Sequence, residues 1–368
     1  MKRILFLTTY ASPYRVRFFD ELGKTAQVTV LYSRPCADVS HRDAKWFEPG
    51  QGGFRSVQLK TTCTLKGKQL CFEVCKWLKK GEYDAIFVGG YSSPTAILAM
   101  LYMRLHGIPF TMEVDGGLIR PDGRLKFACK RFLVRLANCW LSTGKETTKY
   151  LVHYGAKPEG IREYPFSSFY QADILPEVVP QEEKRRIREA LGIPEEKMLL
   201  AIGQFIPRKG FDVLLKAAAR LDRDVGIYLV GGEATPEYVA LREKLGLANV
   251  RFVGFKPKTE LAEYYKAADA FVLPTREDIW GLVINEAMAY GLPVVTTDRC
   301  VAGLELVENG VNGYIVPVGD ENALADRLRC LLSSDMSAMG RISLKKIRNY
   351  TLENMAKAHM DYLQEWEK

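Results

Sequence analysis

The sequence predicts an α/β protein built from two doubly wound parallel-sheet domains. Three observations predict it. The chain has 368 residues, about twice what one hydrophobic core usually serves. Short β-branched or aromatic runs recur in both halves with little polar alternation, which suits strands covered on both faces. Amphipathic stretches of helical period lie between the runs, as right-handed crossovers between parallel strands require. The composition, 47% apolar and 26% charged, excludes wholesale disorder and a coiled coil.

In the first half the strand-like runs are Ile4–Thr8, Val28–Tyr32, Ala85–Val88, Phe110–Val114 and Cys139–Ser142. In the second they are Met198–Ile202, Gly226–Val230, Val250–Val253, Ala270–Leu273 and Pro293–Thr296. The boundary falls between Phe166 and Glu195, where Pro176 and Pro180 precede an amphipathic helix, Gln181–Leu191, closed by Gly192. The domains are therefore set at 1–170 and 171–351. The last helix, 352–368, packs on its own domain or crosses back to the first. In such sheets ligands bind beyond the carboxyl ends of the strands, so the loops after each strand, facing each other across a cleft, are where chemistry is expected.

Charge is uneven. Residues 1–175 carry 26 basic against 15 acidic residues, and the remainder 26 against 29, within a net charge of +8. A basic first half beside a near-neutral second half points to different partners, although a random surface excess accounts for it as well. No apolar run is long enough to span a bilayer, and Met1–Tyr10 reads as a first strand rather than a signal peptide. The eight cysteines lack zinc spacing, and Cys71 and Cys75 sit four apart in a helical stretch without a second pair. They read as reduced thiols of a cytoplasmic protein. The four histidines are dispersed, so no metal site is expected. Asp222-Arg223-Asp224 spells a metal-binding acidic triplet, but it precedes a strand and so lies at the wrong end of the sheet.

The most informative segment is Pro274–Val295. A buried strand ends in an acidic loop holding Glu277 and Asp278. Gly281 permits close backbone approach, and a helix beginning near Leu282 carries Glu286. Asp278 and Glu286 are separated by seven residues. One carboxylate falls in the loop and the other about one turn into the helix, beside an N-terminus suited to an anion. The segment resembles the signature of family 4 glycosyltransferases, retaining enzymes of GT-B architecture, in which two doubly wound domains face across a cleft. That resemblance implies that Glu286 holds the nucleotide ribose and that Asp278 contacts the donor sugar. The family usually has Glu at the first position, so Asp278 is a shorter departure, and Glu277 competes for its role. Further pieces are similar to the family's. Ala201–Leu215 resembles the loop whose cations bind the donor diphosphate: Lys209 matches the family lysine, Gln204 stands where an arginine is usual, and Arg208 is the candidate substitute. Leu229–Glu233 resembles the second Gly-rich turn, and Arg251–Phe255 places backbone around Phe255 beside the base. Ala302-Gly303-Leu304 would start a helix by the diphosphate, and the stretch on to Asp320 reads as a hairpin-like turn.

The match is close from Met198 to about Asp320 and general over the first 165 residues. There, Asp115 stands nearest to a family histidine that contacts the donor sugar, with Glu113 on the same strand face. Asp115 and Glu113 are therefore acceptor-side candidates, as is Tyr91 in the loop after another strand. An ordinary turn is the plain alternative for Asp115-Gly116-Gly117. Arg15 reads either as a ligand for an acceptor phosphate or as a solvated first-turn residue. In Gly116–Trp140, Leu125, Ala128, Phe132 and Leu136 recur at helical spacing among Arg124, Lys126, Lys130, Arg131 and Arg135. That stripe either faces the core or lies on an anionic bilayer.

The expectation is a retaining, metal-independent hexosyltransferase with no cofactor beyond a nucleotide diphosphate sugar, UDP on family grounds. Its acceptor would be a saccharide or lipid-linked saccharide of cell-surface glycan synthesis, handled in the cytoplasm or at the inner membrane face, with no nucleic-acid partner. A catalytically silent nucleotide-sugar-binding protein is the alternative, motivated by Gln204 and Asp115. An epimerase of the same architecture ranks below it for want of histidine-rich loops.

Overall fold

The computed structural model describes residues 1–35 and 52–366, grouped in two units: Met1–Tyr170 with Tyr350–Lys368, and Gln171–Asn349. In the first unit the elements run β1 (Lys2–Thr8), α1 (Pro13–Gly23), β2 (Ala26–Tyr32), β3 (Arg55–Gln58), β4 (Cys63–Leu65), β5 (Lys68–Leu70), α2 (Val74–Trp77) and β6 (Ala85–Gly89). They continue through α3 (Pro94–Leu105), β7 (Thr111–Val114), α4 (Arg124–Val134), β8 (Cys139–Ser142), α5 (Lys145–His153) and β9 (Ile161–Glu163). The main sheet has seven strands in the order β3-β2-β1-β6-β7-β8-β9, every pair parallel.

The second unit contains α6 (Gln181–Leu191), β10 (Lys197–Ile202), α7 (Phe211–Ala218), β11 (Val225–Val230), α8 (Pro236–Lys244), β12 (Val250–Val253), α9 (Lys258–Ala267) and β13 (Ala270–Leu273). After these come α10 (Leu282–Ala289), β14 (Val294–Thr297), α11 (Val301–Leu306), β15 (Gly313–Val316), α12 (Glu321–Leu332) and α13 (Met336–Ile347). Its six parallel strands are ordered β12-β11-β10-β13-β14-β15. This is the doubly wound order, in which the chain reverses direction between β10 and β13 and leaves a crevice at their carboxyl ends. The strands are buried on both faces, as their apolar runs require: all six residues of β11 and all four of β13 are buried. Helix α6 stops at Gly192, whose φ of +68° closes the turn without a side-chain clash.

The last helix, α14 (Leu352–Trp366), packs on α1 in the first unit. There His359 sits among Phe18, Phe87 and Tyr164, and Tyr362 shares a 2.7 Å hydrogen bond with Thr111.

Several local expectations are corrected. The stretch toward Asp320 is not only a turn, because β15 adds a parallel edge strand to β14. Gly313 makes that pairing possible, since a Cβ there would lie 1.9 Å from the Val294 carbonyl oxygen. Cys71 and Cys75 do not share a helix, because α2 is a single turn that begins at Val74. The short strands β3 and β9 and the β4–β5 hairpin carry too little apolar pattern to be read from sequence. The stripe is split: Leu125 is 86% and Phe132 56% exposed on α4, whereas Leu136, just past the helix, is buried in the core with Leu133 and Val134.

A buried charge cluster ties the second unit together at the amino ends of its strands. Asp269, 2% exposed, accepts from the Arg188 guanidinium at 2.5 Å, from Lys184 at 3.3 Å and from the Met198 amide at 2.9 Å. Arg188 also donates to the Ala267 carbonyl. Asp269→Ala would leave two buried cations without their carboxylate, so urea unfolding should show a loss of about 3–5 kcal/mol. A loss under 1 kcal/mol would show that the cluster is solvated.

Candidate functional site

In the second unit the loops following β10 and β13 meet where the strand order reverses. The first loop ends in a tight turn, Pro207–Lys209, and then Gly210 at φ +68°. A Cβ on Gly210 would stand 2.1 Å from the Pro274 carbonyl oxygen, so only glycine lets the loops touch. Arg276 clamps them. Its guanidinium holds both oxygens of Asp212, at 2.8 and 2.7 Å, and its amide donates to the Arg208 carbonyl at 2.7 Å. Thr275 donates to that same carbonyl at 3.0 Å.

This scaffold brings Lys209 and Asp278 into an ion pair at 2.6 Å, with both side chains largely but not fully covered. Arg208 is more exposed. It lies 3.5 Å from the same Asp278 oxygen and donates to the Glu277 carbonyl at 2.9 Å. The Asp278 backbone is fixed as well, because its amide donates to Arg299 and its carbonyl accepts from Val301. Gly281, at φ +105°, follows; a Cβ there would fall 2.8 Å from the Cys300 sulfur. Burial pushes the Cys300 thiol up to about 12, which leaves it a packing group rather than a nucleophile.

Leu282 opens α10, and Glu286 lies just past its first turn. Glu286 accepts a 2.9 Å hydrogen bond from Tyr265 of α9. Tyr265 stacks on Tyr290 with ring centroids 4.9 Å apart, and burial, then the nearby carboxylate, keeps its phenol protonated far above the ordinary range. Glu277 lies 4.0 Å from the Arg299 guanidinium. Phe255 is 43% exposed beyond β12. The unit therefore gathers Arg208, Lys209, Glu277, Asp278, Gly281 and Leu282 around one pair of loops, with Glu286 on the helix that follows. Sequence reasoning missed the Arg276–Asp212 clamp and Tyr265, which carry no motif signal.

The first-unit candidates lie at the carboxyl edge of its own sheet, and two are corrected. Arg15 is 4% exposed and does not offer itself to a phosphate, nor is it a solvated first-turn residue. It donates to Glu113 at 2.7 Å and to Asp115, while Phe18 and Phe166 rings pack over its guanidinium. Glu113, 2% exposed, is likewise a core residue and not an acceptor ligand. Burial alone would raise its carboxyl, but Arg15 and then His359, 3.3 Å away, outweigh that and hold it at about 2. Asp115 is partly exposed and also accepts from Tyr164 at 3.3 Å. Burial, reinforced by Glu113 and opposed by Arg15, raises its carboxyl above the ordinary range. Tyr91, after β6, hydrogen-bonds the Tyr150 hydroxyl of α5. His359 was not singled out by sequence because it enters from α14. Asp222 lies in the turn before β11, at the amino end. Among the described residues no group of three potential ligands is placed to hold a metal ion.

Two doubly wound units, the second with converging cations and carboxylates at its switch point, define a class by architecture, the GT-B fold. Residues 183–353 match the glycosyl transferases group 1 family model. A D-inositol 3-phosphate glycosyltransferase of Corynebacterium diphtheriae is 33% identical over 239 residues, covering 61% of this chain and 55% of that protein. The equivalent protein of Corynebacterium urealyticum is 37% identical over 186 residues, covering 46% and 43%. The chain thus spans about half the length of these curated relatives. Two solved structures share its fold over nearly all of both chains. Anabaena HepE, solved with UDP and glucose, has a TM-score of 0.76 at 19% identity, covering 99% and 100%. Sucrose-phosphate synthase from Thermosynechococcus elongatus has 0.74 at 19%, covering 100% and 99%.

The cluster around Arg15 has a measurable consequence. Glu113 is depressed from 4.5 to about 2, so its contribution to stability is whole above pH 4.5 and drains away as pH falls toward 2. Arg15→Ala would strand two carboxylates, at a cost of about 3–5 kcal/mol at neutral pH. Urea titrations from pH 3 to 7 should show the variant losing most of its deficit at the acid end. A deficit independent of pH would mean that Arg15 acts through packing alone.

Proposed function

We propose that this protein is a retaining glycosyltransferase that moves a hexosyl group from a nucleotide diphosphate sugar to a hydroxyl of a saccharide or lipid-linked saccharide. The observation that carries the reading is the convergence of Lys209, Arg208 and Asp278, with Glu286 on the following helix, at the carboxyl ends of β10 and β13. UDP is the nucleotide of choice. HepE, which shares the fold, was solved with it.

In this reading Glu286, held by Tyr265, takes the ribose hydroxyls. Lys209 and Arg208 meet the diphosphate, and Asp278, fixed between them and its own backbone bonds, orients the donor sugar. As the glycosidic bond breaks, negative charge grows on the leaving diphosphate. A preplaced ammonium stabilises it there without reorganisation. The acceptor oxygen joins the anomeric carbon on the face the diphosphate leaves, and the hydroxyl proton passes to a phosphate oxygen. No metal step is invoked. Arg208 compensates for Gln204, since it already reaches the oxygen that Lys209 holds.

The relatives' name specifies D-inositol 3-phosphate. Here Arg15, the cation read in sequence for an acceptor phosphate, is already committed to Glu113 and Asp115. We therefore assign the acceptor side to Asp115, with Tyr91 nearby in the first unit, and to an uncharged sugar hydroxyl. A cytoplasmic setting at the inner membrane face, in cell-surface glycan synthesis, follows from a lipid-linked acceptor. The alternative, a silent nucleotide-sugar-binding protein, rests on Gln204 and Asp115.

Calorimetry with UDP, GDP and ADP tests the donor site. One nucleotide should bind in the micromolar range. Glu286→Ala should abolish that binding, and Tyr265→Phe should weaken it about fivefold, the worth of about 1 kcal/mol for one hydrogen bond. Lys209→Ala should retain uridine binding but lose the preference for UDP over uridine. Binding of no nucleotide would overturn the proposal. Tight binding without turnover across an acceptor panel would favour the silent protein.

A further inference from the structure

We infer that the first unit docks on an anionic bilayer through the outer face of α4 together with the β4–β5 hairpin. The inference deepens the lipid-linked reading of the acceptor, and it is tested apart from the donor site.

Helix α4 is partitioned by its own periodicity. Phe127, Lys130 and Val134 share one side, since residues three, four and seven apart align on a helix. Val134 is buried, Phe127 packs on the core, and Lys130 lies 2.7 Å from Asp122 and 4.7 Å from the centre of the Tyr154 ring. The opposite side is apolar and open. Leu125 is 86% and Phe132 56% exposed, with exposed Cys129 between them. A soluble helix ordinarily turns such a stripe inward. Here the inward side is occupied by the Lys130–Asp122 pair and the tyrosines, so among the described residues nothing of its own unit covers the stripe.

The charge around the stripe fits one occupant. Residues 119–135 hold six basic residues and a single acid, Asp122. That acid is consumed by Lys126 and Lys130, whose hydrogen bonds, with that of Tyr154, hold its carboxyl well below the usual range. Exposed Arg124, Arg131 and Arg135 therefore flank the stripe. Apolar side chains bordered by arginine are the pattern of a helix lying in the plane of an anionic interface. A second protein copy would bring the same positive charge and be repelled.

The hairpin extends the surface. Its tip is Lys66-Gly67-Lys68, and exposed Leu65 and Phe72 flank it. Lys68 donates to the Ser92 carbonyl at 2.7 Å, in the loop whose Tyr91 meets Tyr150, and the Tyr150 ring lies 5.9 Å from the Lys130 amine. The chain just after the hairpin and α4 also bury residues in one core cluster, Cys71 and Val74 with Leu133 and Val134. Both elements therefore cover one face of the sheet. Among the described residues no helix is long and apolar enough to cross a membrane, so the contact would be peripheral.

Sedimentation of the full chain with vesicles tests this, using phosphatidylcholine alone and mixed with phosphatidylglycerol. The protein should pellet with the anionic vesicles only, and less at 0.5 M salt, because surface charge is screened beyond about 4–5 Å there. Leu125→Glu with Phe132→Glu should lower the partition at least tenfold. Arg124→Ser, Arg131→Ser and Arg135→Ser together should do the same. All five side chains are exposed, so circular dichroism and UDP calorimetry on the same samples should be unchanged, which separates a failed surface from a failed donor site. No pelleting with either vesicle, equal pelleting of wild type and the Leu125/Phe132 variant, or a wild-type dimer that the variant converts to monomer would each overturn the inference.

Discussion

A lysine ammonium 2.6 Å from an aspartate carboxylate is the interaction around which the second unit's site is organised. Lys209 and Asp278 come from loops 69 residues apart in sequence. They meet because β10 and β13 are neighbours where the sheet reverses its winding. Parallel strands place both loops at the same edge, and Gly210 removes the side chain that would hold them apart. The pair keeps 13% and 12% of its side-chain surface exposed, whereas Asp269 at the other end of the strands is 2% exposed. One sheet thus carries a sealed charge cluster at its amino edge and a partly exposed one at its carboxyl edge.

The first unit uses charge differently. Arg15, Glu113 and His359 are buried together, and Asp115 is the member that reaches the rim. A guanidinium between two carboxylates needs no solvent to stay neutralised, which makes the cluster tolerable inside a core. It also converts a basic residue into a support for an acidic one. In a unit that is basic by composition, this point of the sheet's carboxyl edge is a carboxylate held in place.

Much of the second unit's pattern is legible before the fold. The segments Ala270–Leu273 and Val250–Val253 are strands at the bounds their apolar runs mark, and Gln181–Leu191 ends where its glycine stands. The edge strand β15 escaped because its pairing depends on a close approach at Gly313 rather than on hydrophobic alternation. The clamp of Arg276 on Asp212 escaped because each residue alone reads as a solvated charge. Arg15 and Glu113 read as exposed charges in sequence and are buried in the structure, since burial of a charged residue is visible only once its partners are present.

The sequence by itself determined the two parallel-sheet units and the loops in which charged residues gather. Periodicity and turn chemistry are local, and a motif is contiguous, so both are written along the chain. Only the tertiary structure decided which charges are spent and which remain available. It turned the stripe of α4 outward, gave Arg15 to two carboxylates, and brought Tyr265 to Glu286. Burial and pairing depend on neighbours far away in sequence, and no local pattern encodes them.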